Sequence, residues 1–264
     1  MTARSADWDA SRYHRVAQPH VAWGASVLER LALNGDELVL DAGCGSGRVT
    51  AQLLERLPQG HVIAVDSSPA MLDEARNSLS RYADRLTFLQ ADLLEIDRQA
   101  LSKHVDVVFS TAVFHWISNH PRLFQALKAV LKPGGRLIAQ CGGGNNLQAF
   151  MHATDEVVVR PPFAQYLHGQ DLWRFYYSPE QTQANLLHAG FSRADAWLEP
   201  SPQTFPSREA LADFSRGVVL SSHVSALPEA LRDQFVSQVV DQIASRNAGA
   251  YQLDYVRLNM HAFA

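Results

Sequence analysis

Apolar residues in the first half of the chain come in runs of strand length, separated by segments with helical spacing. Residues 37–42 (ELVLDA) read as a short buried strand entered from a turn at Gly35. A glycine-rich bend at 43–47 follows, and then helical spacing over 48–57 that stops at Pro58. The run 61–66 (HVIAVD) is a second buried strand. Ser68-Pro69 opens the next helix, with the serine as cap and the proline in the first turn. Its apolar face carries Met71, Leu72, Ala75 and Leu79. Strands at 85–90 and 105–110, a helix at 121–131, the turn Lys132-Pro133-Gly134-Gly135 and a strand at 136–141 complete the series. Buried strands that alternate with helices predict a parallel sheet covered on both faces, wound by right-handed crossovers.

Beyond residue 142 the pattern loosens. Gly142-Gly143-Gly144-Asn145-Asn146 is a flexible junction. Residues 147–177 are expected to be helical and are rich in aromatics. Ser178-Pro179-Glu180-Gln181 has the pattern of a capping box, and its helix ends near Gly190. A sixth strand is expected at 191–199, helical segments at 207–221 and 228–247, and a last strand in the alternating run 251–263. The expected organisation is an N-terminal helical segment (1–30) and a main domain (31–264). Helices from about 145–178 and 205–248 form a cap within that domain.

Composition narrows the classes. A length of 264 residues suits one large α/β domain or one with an insertion. Hydrophobic residues at 47% and charged ones at 19% exclude a disordered chain, a coiled coil and a fibre. No run approaches the roughly 20 apolar residues of a membrane span. The start, MTARSADWDASRYHRV, lacks the apolar stretch of a secretory signal, so a cytoplasmic location without membrane partners is expected. A net charge of −4 argues against a nucleic acid partner. Cys44 and Cys141 are too few for a disulfide framework, the 11 histidines show no ligand spacing, and no metal is expected.

The segment Asp41-Ala42-Gly43-Cys44-Gly45-Ser46-Gly47 joins a strand to a helix. Glycines there let the backbone take positive φ and let a ligand lie against the chain. A dinucleotide fingerprint requires glycine at positions one, three and six, but these are Gly43, Gly45 and Arg48. Gly47 comes one residue early. A phosphate-binding loop is excluded because no Gly-Lys-Ser/Thr follows.

The D-x-G-x-G-x-G pattern of 41–47 resembles the first motif of the class I S-adenosylmethionine-dependent methyltransferases. Four further motifs match in order. Asp66 ends the second strand, where that family binds both ribose hydroxyls. Asp92, with Leu93, follows the third strand and matches the adenine-facing acid. Ser110-Thr111-Ala112-Val113-Phe114-His115-Trp116 follows the fourth strand, and Leu131–Leu137 (LKPGGRL) precedes the fifth. The resemblance implies a Rossmann-like, seven-stranded, mostly parallel sheet with helices on both faces. It also implies S-adenosyl-L-methionine as cofactor and S-adenosyl-L-homocysteine as product.

Within the family the chain is similar to the trans-aconitate methyltransferase group, through VDSSPAMLDEAR (65–76), AVFHW (112–116) and LDYVRLNM (253–260). That likeness implies O-methylation of a small carboxylic acid by a monomer or homodimer. Two other readings stay open. One is a natural-product N- or O-methyltransferase on a larger apolar substrate, compatible with the aromatics of 163–177 and 197–214. The other is a non-catalytic regulator that binds S-adenosylmethionine.

The resemblance places Gly43, Gly45, Gly47, Cys44, Asp66, Ser67, Asp92, Leu93, Thr111, Ala112 and Trp116 on the cofactor side. Asp41 either touches the donor or braces the loop, and Met71 either stacks on adenine or packs in the core. Cys44 is a small neighbour of the cofactor and not a nucleophile, since no base stands beside it. Tyr13, with Trp8 and His14 nearby, lies in a segment that closes over the cofactor in similar enzymes. His115 is the candidate for orienting the substrate, or else a pocket wall. Arg160, Arg174 and Tyr177 are candidate substrate contacts, because arginine forks suit carboxylates.

Overall fold

The computed structural model describes residues 18–101 and 103–264. Helix α1 (Gln18–Glu29) leads into β1 (Leu38–Ala42), α2 (Arg48–Glu55), β2 (His61–Asp66), α3 (Pro69–Ser78), β3 (Leu86–Gln90) and β4 (Val105–Thr111). Helix α4 (His120–Val130) and β5 (Leu131–Gly142) follow. The second half contributes α5 (Gln148–Val158), α6 (Pro179–His188), β6 (Arg193–Pro200), β7 (Gln203–Thr204), α7 (Arg208–Phe214), α8 (Ser221–Ala226), α9 (Glu229–Arg246), β8 (Gln252–Leu253) and β9 (Val256–Phe263).

The main sheet has seven strands in the order β3-β2-β1-β4-β5-β9-β6. β1 to β5 are parallel to one another, whereas β9 runs antiparallel to both β5 and β6. Strand order reverses between β1 and β4, so the crevice beyond their carboxyl ends is where such sheets bind ligands. The antiparallel β9 has a consequence for that end. Its pairing of Gly142 with Arg257 brings the start of β9 to the ligand end of β5.

Side chains alternate between the two faces of the sheet. Leu40, Ile63, Val65, Val108 and Leu137 join one core with Leu123, Phe124 and Leu127 of α4 and Leu186 of α6. Val39, Val62, Ala64, Val107 and Phe109 join the other with Val27 and Leu28 of α1 and Leu53 and Leu54 of α2. Both faces of the strands are buried, which is why they read as continuous apolar runs. On the α1 face, β9 and its neighbours carry a polar ladder. Asn259 Oδ1 accepts from Arg30 Nη1 (2.5 Å) and Gln140 Nε2 (2.8 Å), and Gln140 Oε1 accepts from Arg257 Nε (3.3 Å).

A third core lies apart from the sheet. Phe150 and Val157 of α5, Phe163, Leu211 and Phe214 of α7, and Phe235 and Val239 of α9 pack together with Trp23 of α1. The expected helical stretch 147–177 forms only α5 and a single turn at 164–167. Pro161 and Pro162 lack the N–H that a continuing helix needs, and Gly169 adopts φ +77°. The expected helix 207–221 is likewise divided, with a π-turn at 215–219 between α7 and α8. The last strand breaks at Asp254, whose carboxylate accepts from Ala149 N (2.7 Å) and Phe150 N (3.3 Å) at the start of α5. Two caps match the sequence reading. Ser68 accepts from Met71 N (3.3 Å), and Ser178 forms a reciprocal capping box with Gln181.

Candidate active site

The glycine loop owes its shape to what surrounds it. Gly43, Gly45 and Gly47 have φ of +84°, +54° and +84°. A Cβ on Gly43 would lie 2.3 Å from Val113 Cγ2, and one on Gly47 2.6 Å from Leu79 Cδ1. A Cβ on Gly45 would meet nothing within 4 Å, so the loop is open on that side. Gly43 N and Cys44 N donate to Val65 O at 2.8 and 2.9 Å, which pins the loop to β2. Cys44 is half-buried, and burial together with the charges of Asp41 and Asp66 pushes its thiol well above the ordinary range. A thiol held protonated is a poor nucleophile.

Two carboxylates flank the loop. Asp41 is buried and accepts from Thr50 Oγ1 at 2.6 Å. Burial, with Asp66 adding to it, raises its pKa to about 7 against the opposing Thr50 bond. It therefore ties β1 to α2. Asp66 takes Gly45 N on Oδ2 (2.9 Å) and Ser68 N on Oδ1 (2.9 Å). Burial raises its pKa, while these amides and that of Ser67 oppose the rise. Each Asp66 oxygen keeps a second lone pair, so the carboxylate still presents two acceptor sites to a vicinal diol. The open side of Gly45 and this two-acceptor carboxylate fit the loop and ribose portion of S-adenosylmethionine.

Ser67 is exposed and Met71 is buried in the first turn of α3. Asp92 is exposed after β3, and its Oδ1 accepts from Leu94 N at 2.9 Å. Leu93 turns its side chain into the core beside Ile96. Tyr13, Trp8 and His14 lie outside the described residues.

The far side of the crevice begins at Thr111, the half-buried end of β4. Ala112 has φ +60°, a conformation that L side chains rarely take, and its N–H donates to Gln140 O at 2.7 Å. That bend throws Phe114–Trp116 into a 3₁₀ turn. His115 Nδ1 accepts from Gly142 N at 3.3 Å. In the neutral ring the proton therefore sits on Nε2, which makes Nε2 a donor and leaves no lone pair there for a general base.

Arg174 is 9% exposed and stacks over Trp116, with its guanidinium carbon 3.8 Å from the ring centroid. Its nitrogens also donate to Val219 O (3.1 Å), Val218 O (2.9 Å) and Ser221 Oγ (2.9 Å). One buried cation thus joins the π-turn to the 3₁₀ turn. Tyr177 takes a different place from the one expected. Its hydroxyl donates to Ser118 O at 2.6 Å, and its ring stacks on His120 with centroids 3.9 Å apart. Burial lowers the pKa of His120 to about 4, so that stack is neutral. Arg160 is exposed and contacts Gln242 (3.5 Å), so it does not join the group. The long side chain, two residues past the end of α5, is drawn to α9, which packs against α5.

Sequence reasoning passed over Arg257. It is 2% exposed, sits opposite Gly142, and stands over Trp23 at 4.1 Å. The signal was present in Val256–Met260, where an arginine and an asparagine interrupt a buried alternating strand. A buried charge at such a place needs partners. Among the described residues, no group of three or more His, Cys, Asp or Glu side chains could hold a metal ion. No described helix is long and apolar enough to cross a membrane.

Comparison with known proteins agrees with this geometry. Residues 39–135 match a family described as a methyltransferase domain. Trans-aconitate 2-methyltransferase of Acidovorax sp. (strain JS42) is 29% identical over 247 residues, covering 90% of this chain and 89% of the relative. Among solved structures, the YcgJ protein of Bacillus subtilis superposes with a TM-score of 0.63 at 14% identity, over 92% of this chain and 98% of that one. Phosphoethanolamine N-methyltransferase 2 of Haemonchus contortus, in complex with S-adenosyl-L-methionine, gives 0.60 at 19% identity over 97% and 56%. The motif order, the near-full-length relatives and the sheet order agree: the chain is a class I S-adenosylmethionine-dependent methyltransferase of small molecules, similar to the trans-aconitate methyltransferase group.

Proposed function

We propose that the protein methylates a carboxylate oxygen of a small organic acid. The observation that carries this reading is the hydrogen bond from Gly142 N to His115 Nδ1, which in the neutral ring leaves the proton on Nε2. The group best placed to be a base is thereby a donor. Arg174 and Arg257, both buried, stand at the same end of the sheet. A site rich in donors and positive charge suits a carboxylate, and a carboxylate is ionised near neutral pH and has no proton to surrender. The similarity to trans-aconitate 2-methyltransferases supports the same substrate class.

In this reading the glycine loop and Asp66 hold the donor, with Asp92 facing the adenine and Thr111, Ala112 and Trp116 closing the methionyl end. When bound, S-adenosylmethionine supplies a methyl group on a positively charged sulfur. The chain's own work is to orient the acid and exclude water, because an anion meeting a cation reacts faster in a dry, preorganised site. Part of the aromatic content that was compatible with a larger apolar substrate goes into packing: Phe163 and Phe214 are buried in the third core, with Phe205 against them.

The test is transfer from methyl-labelled S-adenosylmethionine into two pools, one of small carboxylic acids and one of amines and phenols. Base-labile label in the acid pool is the expected result. Label confined to the second pool would sink the proposal.

A further inference from the structure

Tyr176 belongs to none of the motifs that carry the family resemblance, yet it stands in the middle of the site. A Cβ on Gly142 would lie 2.8 Å from Asn146 Nδ2 and 3.0 Å from Tyr176 Cε1. Glycine at the end of β5 is thus what admits both groups. The Tyr176 ring is 6.2 Å from the His115 ring, and the side chain is half-buried. Arg174 comes two residues earlier in the same segment, and Arg257 faces Gly142 across the strand pair. Both arginines act on the Tyr176 hydroxyl as positive charges.

Asn146 decides which way the hydroxyl points. It is 2% exposed, and its Oδ1 accepts from Val256 N at 2.8 Å. The carboxamide cannot flip without setting its NH₂ against that backbone N–H. Nδ2, which has only donors, therefore lies on the Gly142 side with the Tyr176 ring, and the one hydrogen bond the pair can make runs from the amide to the phenolic oxygen. The phenolic hydrogen is left to be donated elsewhere. Burial raises the phenol's pKa, so that hydrogen stays in place at working pH.

We propose that Tyr176 is a specificity-determining residue: its hydroxyl donates to a carboxylate oxygen of the methyl acceptor, with Asn146 setting the direction of the proton. The inference rests on the acid reading above and deepens it. A carboxylate oxygen completes the bond, whereas an ammonium group sets donor against donor. Selection of this kind can be large, because a buried polar group left unmatched is costly.

The experiment is steady-state kinetics of Tyr176→Phe and Asn146→Asp with the acids that the wild type methylates, alongside calorimetry of donor binding. Tyr176→Phe is expected to raise KM about tenfold or more, the effect of removing one hydrogen bond to a charged group. kcat should stay within a few-fold and donor affinity unchanged, since the bond serves acceptor binding. Asn146→Asp keeps the acceptor for Val256 N but turns the facing atom into a second acceptor. It should capture the phenolic proton and raise KM similarly, with the double variant no worse than either single one. An unchanged acid KM in Tyr176→Phe overturns the inference and leaves the acid reading standing. Wild-type label found only on amines or phenols overturns both.

Discussion

Asp41 offers a test that needs no ligand. The carboxyl is buried near the end of β1, and its pKa rises from the ordinary 3.8 to about 7. Burial is the main cause, reinforced by the charge of Asp66 and opposed by the Thr50 bond. The folded state thus holds this proton more tightly than the unfolded chain does. The group's contribution to stability is full below about pH 4 and is lost as pH rises through about 7. At about 1.4 kcal/mol per pH unit, the rise from 3.8 to about 7 corresponds to about 4 kcal/mol. Asp41→Asn keeps an acceptor for Thr50 Oγ1 and removes the titration. Urea unfolding of both proteins at intervals from about pH 4 to pH 8 measures the difference. Wild type should lose about 4 kcal/mol more than the variant across that range, apart from any fixed cost of the substitution. Parallel pH profiles would refute the claim that burial keeps this carboxyl protonated.

Asp66→Asn sets an amide NH₂ against Gly45 N or Ser68 N, and donor affinity measured by calorimetry should fall about 10- to 100-fold. Gly43→Ala drives a Cβ into Val113 at a φ of +84° and should destabilise the fold by about 1–3 kcal/mol in urea titration. Its donor binding should weaken as well. Arg174→Met takes the guanidinium from Val219 O, leaves Val218 O and Ser221 Oγ only their bond to each other (3.3 Å), and removes the cation over Trp116, for a loss of about 2 kcal/mol in the same assay. An Arg174→Met protein of unchanged stability with weakened acid binding would show that the residue does not anchor the 3₁₀ turn.

How far the sequence could be read depended on whether a residue's surroundings are close to it along the chain. The strand at 61–66 and the helix after Ser68 were legible because both depend on a local apolar run and a local cap. The glycine spacing of 43–47 was legible because positive φ is a property of single residues, and all three glycines adopt it. The stretch 147–177, expected to be helical, is helical only in part, since aromatic richness indicates burial but not period, and the prolines at 161–162 outweigh it. Arg160 and Arg174 were indistinguishable as sequence. Only the fold sends one to α9 at the surface and the other into contact with Trp116.

Local pattern along the chain was enough for the alternation of strand and helix, the glycine loop and the acid that ends the second strand. Each of these is encoded within a few residues by hydrophobic period, glycine or capping chemistry. What gathers at the carboxyl end of β5 is set only by the fold. Arg257 reaches the site because β9 runs antiparallel and ends the pairing of β5 at Gly142. His115 becomes a donor because Gly142 N, 27 residues away, points at its Nδ1. The Asn146 amide is turned by Val256 N, 110 residues away. Proton positions are set by partners brought together across the sheet, and no local pattern along the chain specifies such partners.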